Sequence, residues 1–289
     1  MIYLSLSIFS SVFITLIFKS IERFKLDLLL VIVVNYITAF ILGNLINSQR
    51  FSFTHIIYSN WIFYAIFIGF LLIFSFFLIG FSIQKIGISK TTISNKMSVV
   101  LPIIFSIIYY HENITIIKIS GIVLALTSIL LATYRKKEEI PDKKFIFLPF
   151  LLFIGVGSID TSLKYCQQEF LNDENLSLFT AVSFGIAGII GIIFSIFRNK
   201  KMFVKQNLKA FPFGIILGLV NFGSMYFLIL ALESGKFDSS VVYGINNVSI
   251  IVVSIFAAFI LFKEKISKIN LLGIFIAILS ILIIAGFVA

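Results

Sequence analysis

The chain has 289 residues, of which 60% are apolar and 12% charged, with a mean hydropathy of +1.11. A soluble domain carries about twice that charged fraction, so the composition excludes a water-soluble fold. The net charge of +10 is not a sign of nucleic-acid binding, because in a membrane chain the placement of Lys and Arg matters more than their sum.

Apolar runs of roughly 20 residues recur along the chain, the length needed to cross a hydrocarbon core of about 30 Å. Closed β-barrels would show short alternating segments instead, and none is present. The expected fold is an all-α polytopic membrane protein with ten spans, at 2–18, 28–46, 60–82, 91–110, 117–134, 145–165, 176–197, 211–232, 239–262 and 269–287. Pro102 lies inside the fourth span, where it removes a backbone hydrogen bond and kinks the helix. Pro141 and Pro149 flank the start of the sixth. Cys166 is the single cysteine, so no intramolecular disulfide forms. The first run lacks a basic leader and an Ala-x-Ala site, so no cleavable signal peptide is expected.

The loops after spans one, three, five, seven and nine hold eighteen of the 23 Lys and Arg, among them Lys19, Arg23, Lys25, Arg135 to Lys137, and Arg198 to Lys209. The opposite side holds Arg50, Lys118 and Lys236. By the positive-inside rule the odd loops face the cytoplasm and both termini lie outside.

An internal repeat emerges at an offset of 152 residues, which aligns 78–132 with 230–284. Matches include Ser82/Ser234, Asn95/Asn247, Glu112/Glu264, Gly121/Gly273, Ala125/Ala277 and Ser128/Ser280. Each half, 1–140 and 141–289, then holds five spans, and an odd number makes the second half enter the membrane from the opposite side. Such inverted repeats form one membrane domain, place a solute site at the midplane and rock for alternating access.

Ten spans, a five-plus-five duplication, and a Glu closing spans four and nine ahead of a Gly in the next helix resemble the drug/metabolite transporter superfamily. Within it the chain is similar to EamA-type carriers, through Glu112 with Gly121 and Phe262-Lys263-Glu264 with Gly273. The resemblance covers the whole chain. It implies a secondary carrier of amino acids, drugs, nucleotide sugars or similar metabolites, with a central cavity lined mainly by spans one, three, four, six, eight and nine.

Intramembrane charges are few, and each is a candidate for a pathway or binding site. Lys96 sits in span four, and Asp160 and Lys164 in span six. Asp160 and Lys164 are four residues apart on one helix face, so a closed ion pair is the bland alternative to a functional role. Lys164 is near its span end, where a lysine can snorkel. Lys96 needs Asp160 across the bundle or an anionic group on the solute. Asn246 and Asn247 lie within span nine, and Ser94 and Asn95 are their counterparts in span four. An unpartnered amide in hydrocarbon costs several kcal/mol, so these side chains either fasten the halves or contact the solute. Tyr243 lies one turn before them, and Asn221, Ser224, Tyr226 and Asn35 extend the polar set, with packing favoured for these. Glu112 and Glu264 are expected to serve orphan amides at the start of the next helix. His55 and His111 lie near membrane surfaces and do not suggest a metal site or a proton relay. Gly185, Gly188, Gly191, Gly214 and Gly218 read as close helix packing.

These features point to a secondary active transporter, an exporter of a small metabolite such as an amino acid, with Asp160 as a candidate proton carrier. There is no P-loop, so an ion gradient or the solute's own gradient drives it. A lipid-linked-sugar flippase or accessory subunit is the alternative on the same fold. An intramembrane enzyme is disfavoured, because two surface histidines and a lone Asp do not build a catalytic cluster. The expected partners are a small-molecule substrate, the lipid bilayer and protons. No cofactor, metal or nucleic acid is expected, and the expected location is the bacterial cytoplasmic membrane.

Overall fold

A computed structural model describes residues 1–24, 26–46, 56–86, 88–132, 134, 143–145, 147–172, 174–198, 208–262 and 267–286. Lys25, Arg50, His55, Arg135 to Lys137, Pro141 and Lys263-Glu264-Lys265 lie outside the described residues, so the proposed cap by Glu264 does too. The helices, in chain order, are α1 (Ile2–Arg23), α2 (Leu28–Ile46), α3 (Ile62–Ile86), α4 (Ile88–Met97), α5 (Val100–Tyr109), α6 (Ile116–Ala132), α7 (Leu148–Glu169), α8 (Leu176–Arg198), α9 (Ala210–Glu233), α10 (Ser239–Phe262) and α11 (Lys268–Gly286). They match the ten expected spans, with α4 and α5 together making the fourth. Five helices of the described chain are long and apolar enough by themselves to cross a membrane, in α2, α3, α8, α9 and α10.

The fourth span is interrupted for two residues at its middle, with Val99 still in a helical conformation (φ −54°, ψ −22°). Ser98 and Val99 form a turn between α4 and α5, and Leu101 N donates to Ser98 O at 3.0 Å. Pro102 explains the position. It has no N–H to give to the carbonyl four residues back, and its ring collides with that carbonyl, which belongs to Ser98. In the third position of α5 the same proline costs little, because first-turn amides have no intrahelical partner anyway.

The helices gather into two compact units that do not follow the sequence halves. One comprises residues 1–74 and 165–233, the other 75–164 and 234–289.

In the first unit α2 is the core helix, packed by α8 and α9, with α1 against α9. Its side chains from Leu29 to Tyr36 are all buried. Small residues let the partners approach. A Cβ on Gly43 would lie 2.7 Å from Ala181 Cβ, and one on Gly218 would lie 2.5 Å from Asn35 O. Phe40 and Val33 fill the spaces over Gly185 and Gly191, Tyr36 lies over Gly188, and Val34 over Gly214, so all five expected packing glycines act as such. On α9 the opposite face, Ile215, Ile216 and Leu219, is exposed and apolar, which suits lipid rather than water.

In the second unit α6 and α11 form the closest pair. A Cβ on Gly273 would run into the backbone nitrogen of Ala132, with Ala132 Cα at 2.7 Å. Ser280 Oγ donates to Gly121 O at 2.9 Å. Ala125 and Ala277, matched by the 152-residue offset, share one core cluster with Val248. Asn270 Nδ2 donates to the carbonyls of Ala132 at 2.8 Å, Tyr134 at 3.0 Å and Leu131 at 3.2 Å, closing the C-terminus of α6 from the first turn of α11. Nothing in the sequence singled Asn270 out.

Candidate functional site

Most of the polar candidates meet in the second unit. Lys96 occupies the last turn of α4, beside the break, where a helix C-terminus favours a cation. Asp160 stands on α7, and the segment of α7 beside it packs on the break. A Cβ on Gly157 would lie 2.9 Å from Ser98 O and 3.0 Å from Leu101 Cβ. Asp160 and Lys96 carry opposite charges near enough to influence one another electrostatically, and both residues are half-buried.

Lys164, one turn further along α7, is buried and does not share the Asp160 charge as its main partner. Its ammonium lies 5.2 Å from the ring centroid of Tyr110 and interacts with the carboxylate of Glu112. The main electrostatic influence on Asp160 thus comes from Lys96, and that on Lys164 from Glu112. The i, i+4 spacing of Asp160 and Lys164 makes a contact between them available without ruling out partners on other helices. Lys164 also does not need to snorkel, since its charge is met inside the protein.

Glu112 serves orphan amides, but at a helix the sequence did not indicate. Instead of the next helix it reaches the N-terminus of α10, accepting from Ser239 N at 2.9 Å, Ser240 N at 3.3 Å and Ser240 Oγ at 2.5 Å. A carboxylate at this end also meets the positive pole of the helix. His111, just before it, adopts a left-handed conformation with φ 52°, which turns the chain out of α5 toward that contact.

Tyr243 is fully buried and ties α10 to α7 by donating its hydroxyl to the backbone carbonyl of Asp160 at 2.8 Å. Asn247 donates its amide back to Tyr243 O at 3.2 Å, within its own helix. Asn246 is buried, and its Oδ1 accepts no hydrogen bond among the described residues. Asn95 is half-buried, and its carbonyl accepts from Ser98 Oγ at 2.5 Å. The remaining candidates belong to the first unit. Asn221 Nδ2 donates to Asn35 Oδ1 at 3.1 Å, joining α9 to α2. Tyr226 stacks on Phe222 with ring centroids 5.2 Å apart.

This arrangement places an acid and a base of opposite charge beside the interruption of the fourth span, where the ends of two half-helices supply backbone groups outside the regular helical bonding. Broken helices in transporters use such ends to hold solutes and ions.

Comparison with known proteins agrees with the architecture. The EamA-like transporter family matches residues 1–134 and 144–286. An uncharacterized protein of Haemophilus influenzae is 26% identical over 216 residues, covering 74% of this chain and 72% of its own. A protein of Priestia megaterium, described as a probable glucose uptake protein GlcU, is 27% identical over 212 residues, covering 71% of this chain and 70% of its own. A crystal structure superposes on 99% of this chain and 96% of its own with a TM-score of 0.78, and at 11% identity that likeness is one of fold. The chain therefore belongs to the EamA-like transporter family, as a multi-pass membrane transporter within the drug/metabolite transporter superfamily.

Proposed function

We propose that the protein is a secondary active carrier of a small polar metabolite in a bacterial cytoplasmic membrane, with Lys96 and Asp160 as its coupling pair. The observation that supports this reading is the placement of these two half-buried, oppositely charged residues beside the interruption of the fourth span, where Gly157 of α7 packs on Ser98 and Leu101. When Asp160 is ionised it occupies the charge of Lys96. When Asp160 takes up a proton, Lys96 is released to bind an anionic group, such as the carboxylate of an amino acid. Proton and solute then bind together rather than in competition, which is the logic of symport and favours uptake over the export expected from the sequence. The relative described as a probable glucose uptake protein favours the same direction and adds hexoses to the substrates worth testing.

The test is uptake of an amino-acid panel and a hexose panel into proteoliposomes, with and without an inward proton gradient. Asp160→Asn is expected to remove the stimulation by the gradient while leaving solute exchange. If the variant transports at an unchanged and still pH-dependent rate, the coupling role is wrong. Hexose uptake that ignores both Lys96→Met and Asp160→Asn would replace the carboxylate reading of the solute.

A further inference from the structure

A separate cleft opens in the first unit, with a volume of about 620 Å³, within the range of small-ligand sites. It lies where the start of α3, the end of α7 and the start of α8 converge, lined by Tyr58, Asn60, Trp61, Glu169, Phe170 and Asn175 among others. Glu169 is nine residues beyond Asp160 on α7, half a turn round the helix. The loops that border it follow spans two and six, and the distribution of basic residues assigns both to the outside.

The chemistry of the wall is one-sided. Three aromatic residues contribute: Tyr58 is 85% exposed at the rim, Phe170 is half-buried, and Trp61 is seated edge-on against Phe179 at 5.7 Å. Phe170 is held in turn by Tyr64 at 5.7 Å and Tyr165 at 5.8 Å. Two polar donors of the wall are committed. Asn175 gives its amide to Phe170 O at 3.0 Å, and its Oδ1 accepts from Asn172 N at 2.8 Å. Ser59, also in the wall, gives its hydroxyl to Ile56 O at 2.8 Å. Glu169 adds an exposed carboxylate. The stretch 165–197 carries three carboxylates, Glu169, Asp173 and Glu174, and no lysine or arginine. Aromatic faces beside a carboxylate, with no lysine or arginine among the described residues of the wall, suit a positively charged ligand.

We propose that this cleft binds small organic ammonium ions, with Tyr58 and Phe170 offering ring faces and Glu169 the counter-charge. It does not depend on the coupling role given to Lys96 and Asp160.

Trp61 is the only tryptophan in the chain, so its emission reports on the cleft directly. Purified protein in nanodiscs is titrated with choline chloride at constant ionic strength, and with 3,3-dimethylbutan-1-ol, its uncharged counterpart of the same shape. Choline is expected to change the emission saturably in the millimolar range, and the neutral alcohol to act much more weakly. Glu169→Gln should weaken choline binding about fivefold and Tyr58→Ala about threefold. Asp160→Asn should leave it unchanged, which separates this site from the coupling pair. Equal responses to choline and the alcohol would overturn the proposal, as would an undiminished choline response in Glu169→Gln that unfolds at the wild-type temperature. Absence of any saturable response in the wild type would do so too.

Discussion

Glu112 closes the N-terminus of α10 from a link 127 residues away in sequence, and removing it tests whether that clasp holds the second unit together. Hydrogen bonds to a charged group are worth about 1.5–3 kcal/mol each. Glu112 accepts three, two of them short, so loss of the pair would cost about 3–6 kcal/mol if nothing relaxed. The residue is only half-buried, and water reaching the freed amides recovers part of this, leaving about 2–4 kcal/mol for Glu112→Ala. For a chain of this size each kcal/mol moves the midpoint by about 2 °C, so the unfolding temperature in detergent should fall by about 4–8 °C. Glu112→Gln keeps an acceptor but loses the charge, and should fall between the two. The pairing with Lys164 adds a second readout. In a double-mutant cycle with Lys164→Met, the two losses should be non-additive, since each substitution strips the other residue of its partner. Wild-type thermal stability in Glu112→Ala, or strict additivity in the cycle, would refute the clasp.

Two further predictions concern backbone geometry. Gly273→Ala places a Cβ against the backbone of Ala132 and should destabilise by about 1–3 kcal/mol, measured by thermal unfolding, whereas a change within about 0.5 kcal/mol would show that α6 and α11 can part without cost. Pro102→Ala restores an N–H aimed at Ser98 O, and should change stability by less than about 1 kcal/mol while slowing transport in proteoliposomes; unchanged transport would remove the helix interruption from the mechanism.

The spans were legible in the sequence because hydrocarbon imposes a length and a composition on each helix, and the described helices begin and end within a few residues of the apolar runs. The position of the break was legible in part. Pro102 announced a distortion, but whether a proline bends or interrupts a helix depends on what packs against it, here Gly157 with no side chain to keep α7 away. The charges were legible in part. Asp160 across the bundle was one of the two partners expected for Lys96, whereas the interaction of Lys164 with Glu112 was not foreseen, because helical spacing says nothing about distant residues. Glu112 was recognised as a capping carboxylate, but the helix it caps begins at Ser239, a choice made by tertiary packing. The same holds for the compact units, whose interleaved segments depend on contacts that no local pattern encodes.

The hydrogen bond between Asn35 and Asn221 has a consequence for biosynthesis. The two residues are 186 positions apart, which at about 5–20 residues per second means that Asn35 waits roughly 10–40 s for its partner to be made. For most of that interval α2, the core of the first unit, has neither α8 nor α9 to cover it, and α9 is the last to arrive. Its buried amide must be held by lipid headgroups, water at the insertion site or a chaperone. The step that completes this unit is therefore the arrival of the ninth helix, so chain truncation before that point should leave a nascent protein open to quality-control proteases.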